Sequence, residues 1–155
     1  MFTVSQEPIA PKEVLGLLRT VPEWFGRPES NREYIKATQN LPCWVARINQ
    51  QVVGVAAIQK HSVDSWEIHL MVVERGFHRM GIGRALIKEI EEQAQMSKVS
   101  LLQVKTLGES HPDPFYQRTR LFYLAQGFIP LEETGIWGDD TPCLIMVKPL
   151  PPCNQ

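Results

Sequence analysis

The sequence predicts a mixed α/β fold: a mostly antiparallel, twisted sheet with helices on both faces. Three observations lead there. Two amphipathic helices come first, hairpin-linked strands follow, and the second half alternates strand, helix, strand, helix, strand, strand. In the middle, a strand runs through a glycine-containing turn into an apolar-striped helix, a crossover that makes its flanking strands parallel. The 155 residues are enough to bury one core. Residues 1–148 are therefore expected to form a single domain, with 149–155 as a proline-rich tail.

Each element has a local signal. Pro11 to Thr20 reads as the first helix, with proline at its start and Val14, Leu15, Leu17 and Leu18 as its apolar stripe. Residues 21–28 form a rigid aromatic loop. Ser30 is expected to cap a second helix and Glu33 to complete a capping box, with the end near Asn40 before Leu41-Pro42. Strands at 44–48 and 52–59 flank the hairpin-length Asn49-Gln50-Gln51. The strand 66–73 alternates: Trp66, Ile68, Leu70 and Val72 share one face, and Glu67, His69, Met71 and Val73 the other. A helix from about Gly81 to Gln95, a strand at 101–104, and a helix from Phe115 to Gln126 stopped by Gly127 come next. Strands at 128–132 and 144–148 close the chain.

Composition excludes several functions. A net charge of -1 gives no basic surface for nucleic acid or an anionic membrane. Cys43, Cys143 and Cys153 are odd in number and lack paired spacing, so neither a disulfide framework nor a zinc site is expected. No cluster of His, Cys and carboxylates has metal-ligand spacing, so no metal is expected. No signal peptide and no run of about 20 apolar residues is visible, which points to a cytoplasmic protein. Assembly as a homodimer is left open.

The most informative stretch runs from Val72 to Leu86. The first N–H groups of a helix lack internal partners and carry partial positive charge, so a glycine turn entering one can hold a pyrophosphate. Gly81 and Gly83 by themselves fit a plain tight turn as well. Arg75, Arg79 and Arg84 favour the anion site. A dinucleotide turn would need a third glycine where Leu86 stands.

His78-Arg79-Met80-Gly81-Ile82-Gly83 resembles the Gln/Arg-x-x-Gly-x-Gly/Ala motif of GNAT acetyltransferases, with His78 in place of Gln or Arg. Leu121 to Phe128 is similar to that family's late Tyr-x-x-x-Gly-Phe signature. The resemblance covers nearly the whole chain and implies the GNAT fold with acetyl-CoA as co-substrate. It implies that the amides of Arg79, Met80, Gly81, Ile82, Gly83 and Arg84 cradle the pyrophosphate with the His78 side chain beside them, and that the pantetheine arm pairs with the strand near Met71 and Val73. The expected reaction is direct attack of an amine on the thioester. The acceptor is a small molecule or a peptide terminus.

Such a transfer needs a base, an oxyanion donor and an acid for the departing thiolate. Glu67 lies 14 residues before Gly81, the offset of the catalytic glutamate in the family's histone-acetylating branch; the plain alternative is a solvated strand carboxylate. His69 follows on the same face as a proton relay or a structural histidine. His61 and His111 read as loop residues. The resemblance makes Tyr123 the acid, against the alternative of one more core aromatic. It also puts the loop bearing Glu23, Trp24 and Phe25 over the acceptor. Trp137 lies in a late loop, and aromatic faces beside carboxylates suit a cationic amine. The alternative class of function is a GNAT-fold module that binds acyl-CoA and regulates without catalysing.

Overall fold

The computed structural model describes residues 1–152. Four helices accompany seven strands in one open, mostly antiparallel sheet, ordered β1-β2-β3-β4-β5-β7-β6 by position along the chain. Cys153 lies outside the described residues. Two compact units are distinguished among the described residues: Met1–Gln59 with Ile68–Gln93, and Lys60–Glu67 with residues 94–152.

The first unit opens with a strand the sequence did not announce. β1 (Thr3–Gln6) pairs antiparallel with β2 (Cys43–Ile48), Val4 facing Ala46. It is a short edge strand with only Val4 half-buried, so it shows no apolar alternation to read. Glu7 follows it and pairs with Arg47 at 2.6 Å, an ion pair that lowers the carboxyl pKa. Helix α1 (Pro11–Arg19) forms as expected. Its Glu13 carboxylate accepts the Ala10 N–H, and Val14, Leu17 and Leu18 are buried.

Helix α2 corrects the expected cap. It spans Pro28–Asn40 with Arg27 at the N-cap, so Ser30 lies inside the first turn and no Ser30–Glu33 box forms. Proline already fits the first helical position, where its missing N–H costs nothing, and this moves the start upstream. β2 and β3 (Gln51–Lys60) are joined by Asn49 and Gln50, both with positive φ (49° and 72°), the signature of a type I′ turn. Next come β4 (Ser65–Val73), a 3₁₀ turn at Arg75–Phe77 and α3 (Ile82–Met96). The middle of β3 lies close to the start of α3. A Cβ built on Gly54 would stand 3.2 Å from Ile82 Cγ2 and 3.5 Å from Leu86 Cδ1.

In the second unit, β5 (Leu101–Leu107) pairs antiparallel with β7 (Cys143–Pro149), and β7 with β6 (Ile129–Thr134). Helix α4 (Pro114–Ala125) is capped by Asp113, whose carboxylate accepts the Phe115 and Tyr116 N–H groups. Its end is a Schellman motif. The Phe128 N–H bonds the Tyr123 carbonyl at 3.0 Å and the Gly127 N–H the Leu124 carbonyl at 3.0 Å, with Gly127 at φ 93°.

Candidate active site

In the first unit the predicted anion turn presents an open stretch of backbone at the start of α3. Arg79 and Gly81 both take left-handed backbone (φ 64° and 84°). Nothing stands within 4 Å of a Cβ built on Gly81, so the glycine is required by its dihedral angle and leaves an open face. The Gly81 carbonyl accepts the Ala85 N–H. The N–H groups of Ile82, Gly83 and Arg84 precede that bond and have no intrahelical partner. Arg79, Met80 and Arg84 are exposed, and among the described residues no ion pair holds either arginine.

Arg75 departs from its expected role. Its guanidinium pairs with Glu23 and donates to the Thr20 carbonyl at 2.9 Å, so it braces the loop before α2 instead of standing free beside an anion. Glu23 is correspondingly engaged. His78 Nε2 donates to the Val73 carbonyl at 2.7 Å, because a carbonyl offers only an acceptor. That bond occupies one lone pair of Val73 and folds the turn back onto the end of β4.

The loop aromatics converge on the same region. Trp24 meets the His78 ring edge-on at 6.2 Å, Phe25 meets Tyr34 at 5.5 Å, and Tyr34 lies 5.9 Å from the His69 ring. Trp24, Phe25 and Tyr34 also pack on the core beneath α1. The structure thus brings Trp24, Phe25, His69 and His78 together and adds Tyr34. Sequence reading missed Tyr34 because nothing in α2 shows which strand residue it will face. His69 itself is exposed, and Met71 and Val73 are half-buried along β4.

The second unit holds the two residues read as base and acid. Glu67 is buried, the only charged residue to be so among the described residues. Its Oε1 accepts from Lys105 Nζ at 2.8 Å and lies 2.6 Å from His61 Nε2. The alternative of a solvated carboxylate is therefore ruled out. His61 sits on the loop between β3 and β4, as read, but is a carboxylate partner besides. Neither it nor Lys105 carried a sequence signal, since register across strands is not written in one strand. Burial pushes the nearby Cys143 thiol pKa up, opposed by a hydrogen bond from Thr134 and the charge of Lys105.

Tyr123 is buried, in edge-on contact with Phe122 at 5.2 Å and Phe128 at 5.3 Å. Burial raises its phenol pKa well above the usual tyrosine value, so the hydroxyl keeps its proton and can only be a donor of it at neutral pH. Trp137 stands exposed on the loop after β6. Among the described residues no group of three or more His, Cys, Asp or Glu is arranged to hold a metal ion, and no helix is long and apolar enough to cross a membrane.

Residues 39–130 match the family model described as "Acetyltransferase (GNAT) domain". The chain belongs to the GNAT acetyltransferase family. It is 34% identical over 108 residues to an "IAA acetyltransferase" of Azospirillum brasilense, covering 68% of this chain and 66% of that relative, just under two thirds of its length. Its fold is similar to a GNAT-family acetyltransferase structure from Desulfovibrio desulfuricans (TM-score 0.80, 18% identity, 97% of this chain and 100% of that one). It is also similar to a GNAT acetyltransferase from Elizabethkingia anophelis with acetyl-CoA bound (TM-score 0.70, 18% identity, 96% and 98%). For a GNAT chain, the glycine turn and the late tyrosine are in the expected order.

Proposed function

We propose that this GNAT protein moves the acetyl group of acetyl-CoA onto an amine by direct attack on the thioester. The observation that carries the reading is the open N-terminus of α3, where Gly81 leaves unpartnered N–H groups facing an uncovered surface. The acetyl-CoA held by the Elizabethkingia anophelis neighbour supports the choice of ligand. The pyrophosphate rests on the amides from Arg79 to Arg84, with the Arg79 and Arg84 side chains at its rim, and the pantetheine follows Met71 and Val73; the His78 N–H is spent on the Arg75 carbonyl at 3.2 Å. Glu67 takes the amine proton directly or through water, and Tyr123 gives a proton to the departing sulfur. His69, Trp24, Phe25 and Tyr34 line the acceptor side, where ring faces favour a cationic amine over an alcohol.

A second reading has a specific observation behind it. Glu67 and Tyr123 each have a complete structural role, one in an ion pair and one in a helix-ending contact. An acyl-CoA-binding regulator would need no more than that. One experiment separates the two: purified protein, acetyl-CoA and a panel of amines, with free thiol followed over time. Thiol release that depends on an amine, with Glu67→Gln lowering kcat by about 10²-fold or more, supports catalysis. Tight acetyl-CoA binding with no amine-dependent thiol supports the regulator.

A further inference from the structure

Acetyl transfer to an ammonium group leaves a proton over. The C–N bond forms and the C–S bond breaks; the nitrogen goes from three protons to one. Of the two it sheds, one ends on the CoA sulfur and the other must reach bulk water. We propose that His61 carries that proton from Glu67 to solvent. The proposal rests on the reading of Glu67 as the base.

For the next turnover Glu67 must give up the proton it has taken. Its Oε1 already pairs with Lys105 Nζ, and the Lys105 side chain is only 22% exposed. Neutralising the carboxylate strips that ammonium of its counter-charge in a poorly solvated position. Lys105 cannot relieve it, because an ammonium has three donors and no acceptor. His61 can. Its Nε2 lies 2.6 Å from the same Oε1. At rest the ring donates Nε2–H to the carboxylate; once Glu67 is neutral, exchange with water turns the ring to its Nδ1–H tautomer, whose bare Nε2 accepts the proton. The carboxylate is then restored between two cations, a better arrangement than a neutral acid beside a lone ammonium. The His61 side chain is 41% exposed while that of Glu67 is 7% exposed, so the pair spans from interior to water. The imidazolium releases its Nδ1 proton to solvent, which leaves Nε2–H donating to the restored carboxylate as at the start.

The test compares two substitutions at His61 with Glu67→Gln, all on the full chain. His61→Gln keeps an N–H donor for Glu67 but cannot carry a proton. His61→Ala removes both and leaves room for added imidazole. Both variants are expected to keep the wild-type KM for acetyl-CoA and lose about tenfold or more in kcat. Imidazole in the buffer is expected to restore His61→Ala and leave the wild type unchanged. Wild-type kcat in His61→Gln would show that His61 only positions Glu67 and would overturn the relay. If Glu67→Gln is impaired in the same assay, the base reading survives that result. Full activity in Glu67→Gln would remove the base and the relay together.

Discussion

Among single residues, Tyr123 has the sharpest two-sided case. Its ring touches Phe122 and Phe128, and the residue is buried. Tyr123→Phe keeps the ring and removes only the proton donor. If the hydroxyl protonates the sulfur, kcat falls on the order of 10- to 10³-fold with acetyl-CoA affinity unchanged. Near-normal turnover in a folded variant would leave Tyr123 a packing residue. The same substitution has a signature in alkali. The folded phenol pKa is raised, while the unfolded one lies near about 10. Stability is therefore intact below about pH 10 and declines as pH climbs from there toward the folded value. Melting curves of the variant should lack this residue's share of the decline. The sequence indicated that Tyr123 was a candidate for both roles, and the buried ring contacts explain why neither can be read away.

The two family signatures are also element boundaries, which is why they were legible. Gly127 ends α4 through a Schellman motif, and the motif's usual apolar contact is here the Tyr123–Phe128 ring pair. Gly81 starts α3 with a dihedral angle that costs other residues roughly 1–2 kcal/mol. Gly81→Val should therefore lower the melting temperature modestly and, by crowding the open face, abolish the shift that acetyl-CoA gives the wild type. That shift should be about 5–10 °C at a hundredfold excess over Kd, from a linkage energy of about 2.7 kcal/mol. A valine variant stabilised by acetyl-CoA as strongly as the wild type would move the ligand elsewhere. What the elements concealed was lateral. Nothing in β1 is apolar enough to stand out, and Pro28 overrode the Ser30 cap. Likewise, no property of β4 by itself could tell that Lys105 and His61 would close on Glu67.

At the scale of the molecule, chain order was readable because periodicity and turn chemistry act locally. Apart from the β2–β3 hairpin, whose turn is local, pairing partners were not, because they depend on register between distant segments. The two units illustrate the point. Each is assembled from two separate stretches, and the boundary between Glu67 and Ile68 falls inside β4. A linear reading of periodicity and turns has no means of seeing such interleaving.

Gly54 extends the argument to affinity. It contacts no expected ligand position, yet a methyl there would press on Ile82, the first residue of α3. The clearance of 3.2 Å is tighter than ordinary contact, so the Ile82 side chain at the helix start must give way by a few tenths of an ångström. Gly54→Ala should weaken acetyl-CoA several-fold, by roughly 1 kcal/mol, while kcat at saturation is kept; unchanged affinity by calorimetry would show that the helix absorbs the methyl without moving its tip. On the proposed reading, the grip on the acyl donor has a dial in the middle of a buried strand, where a survey of the exposed turn would not look for one.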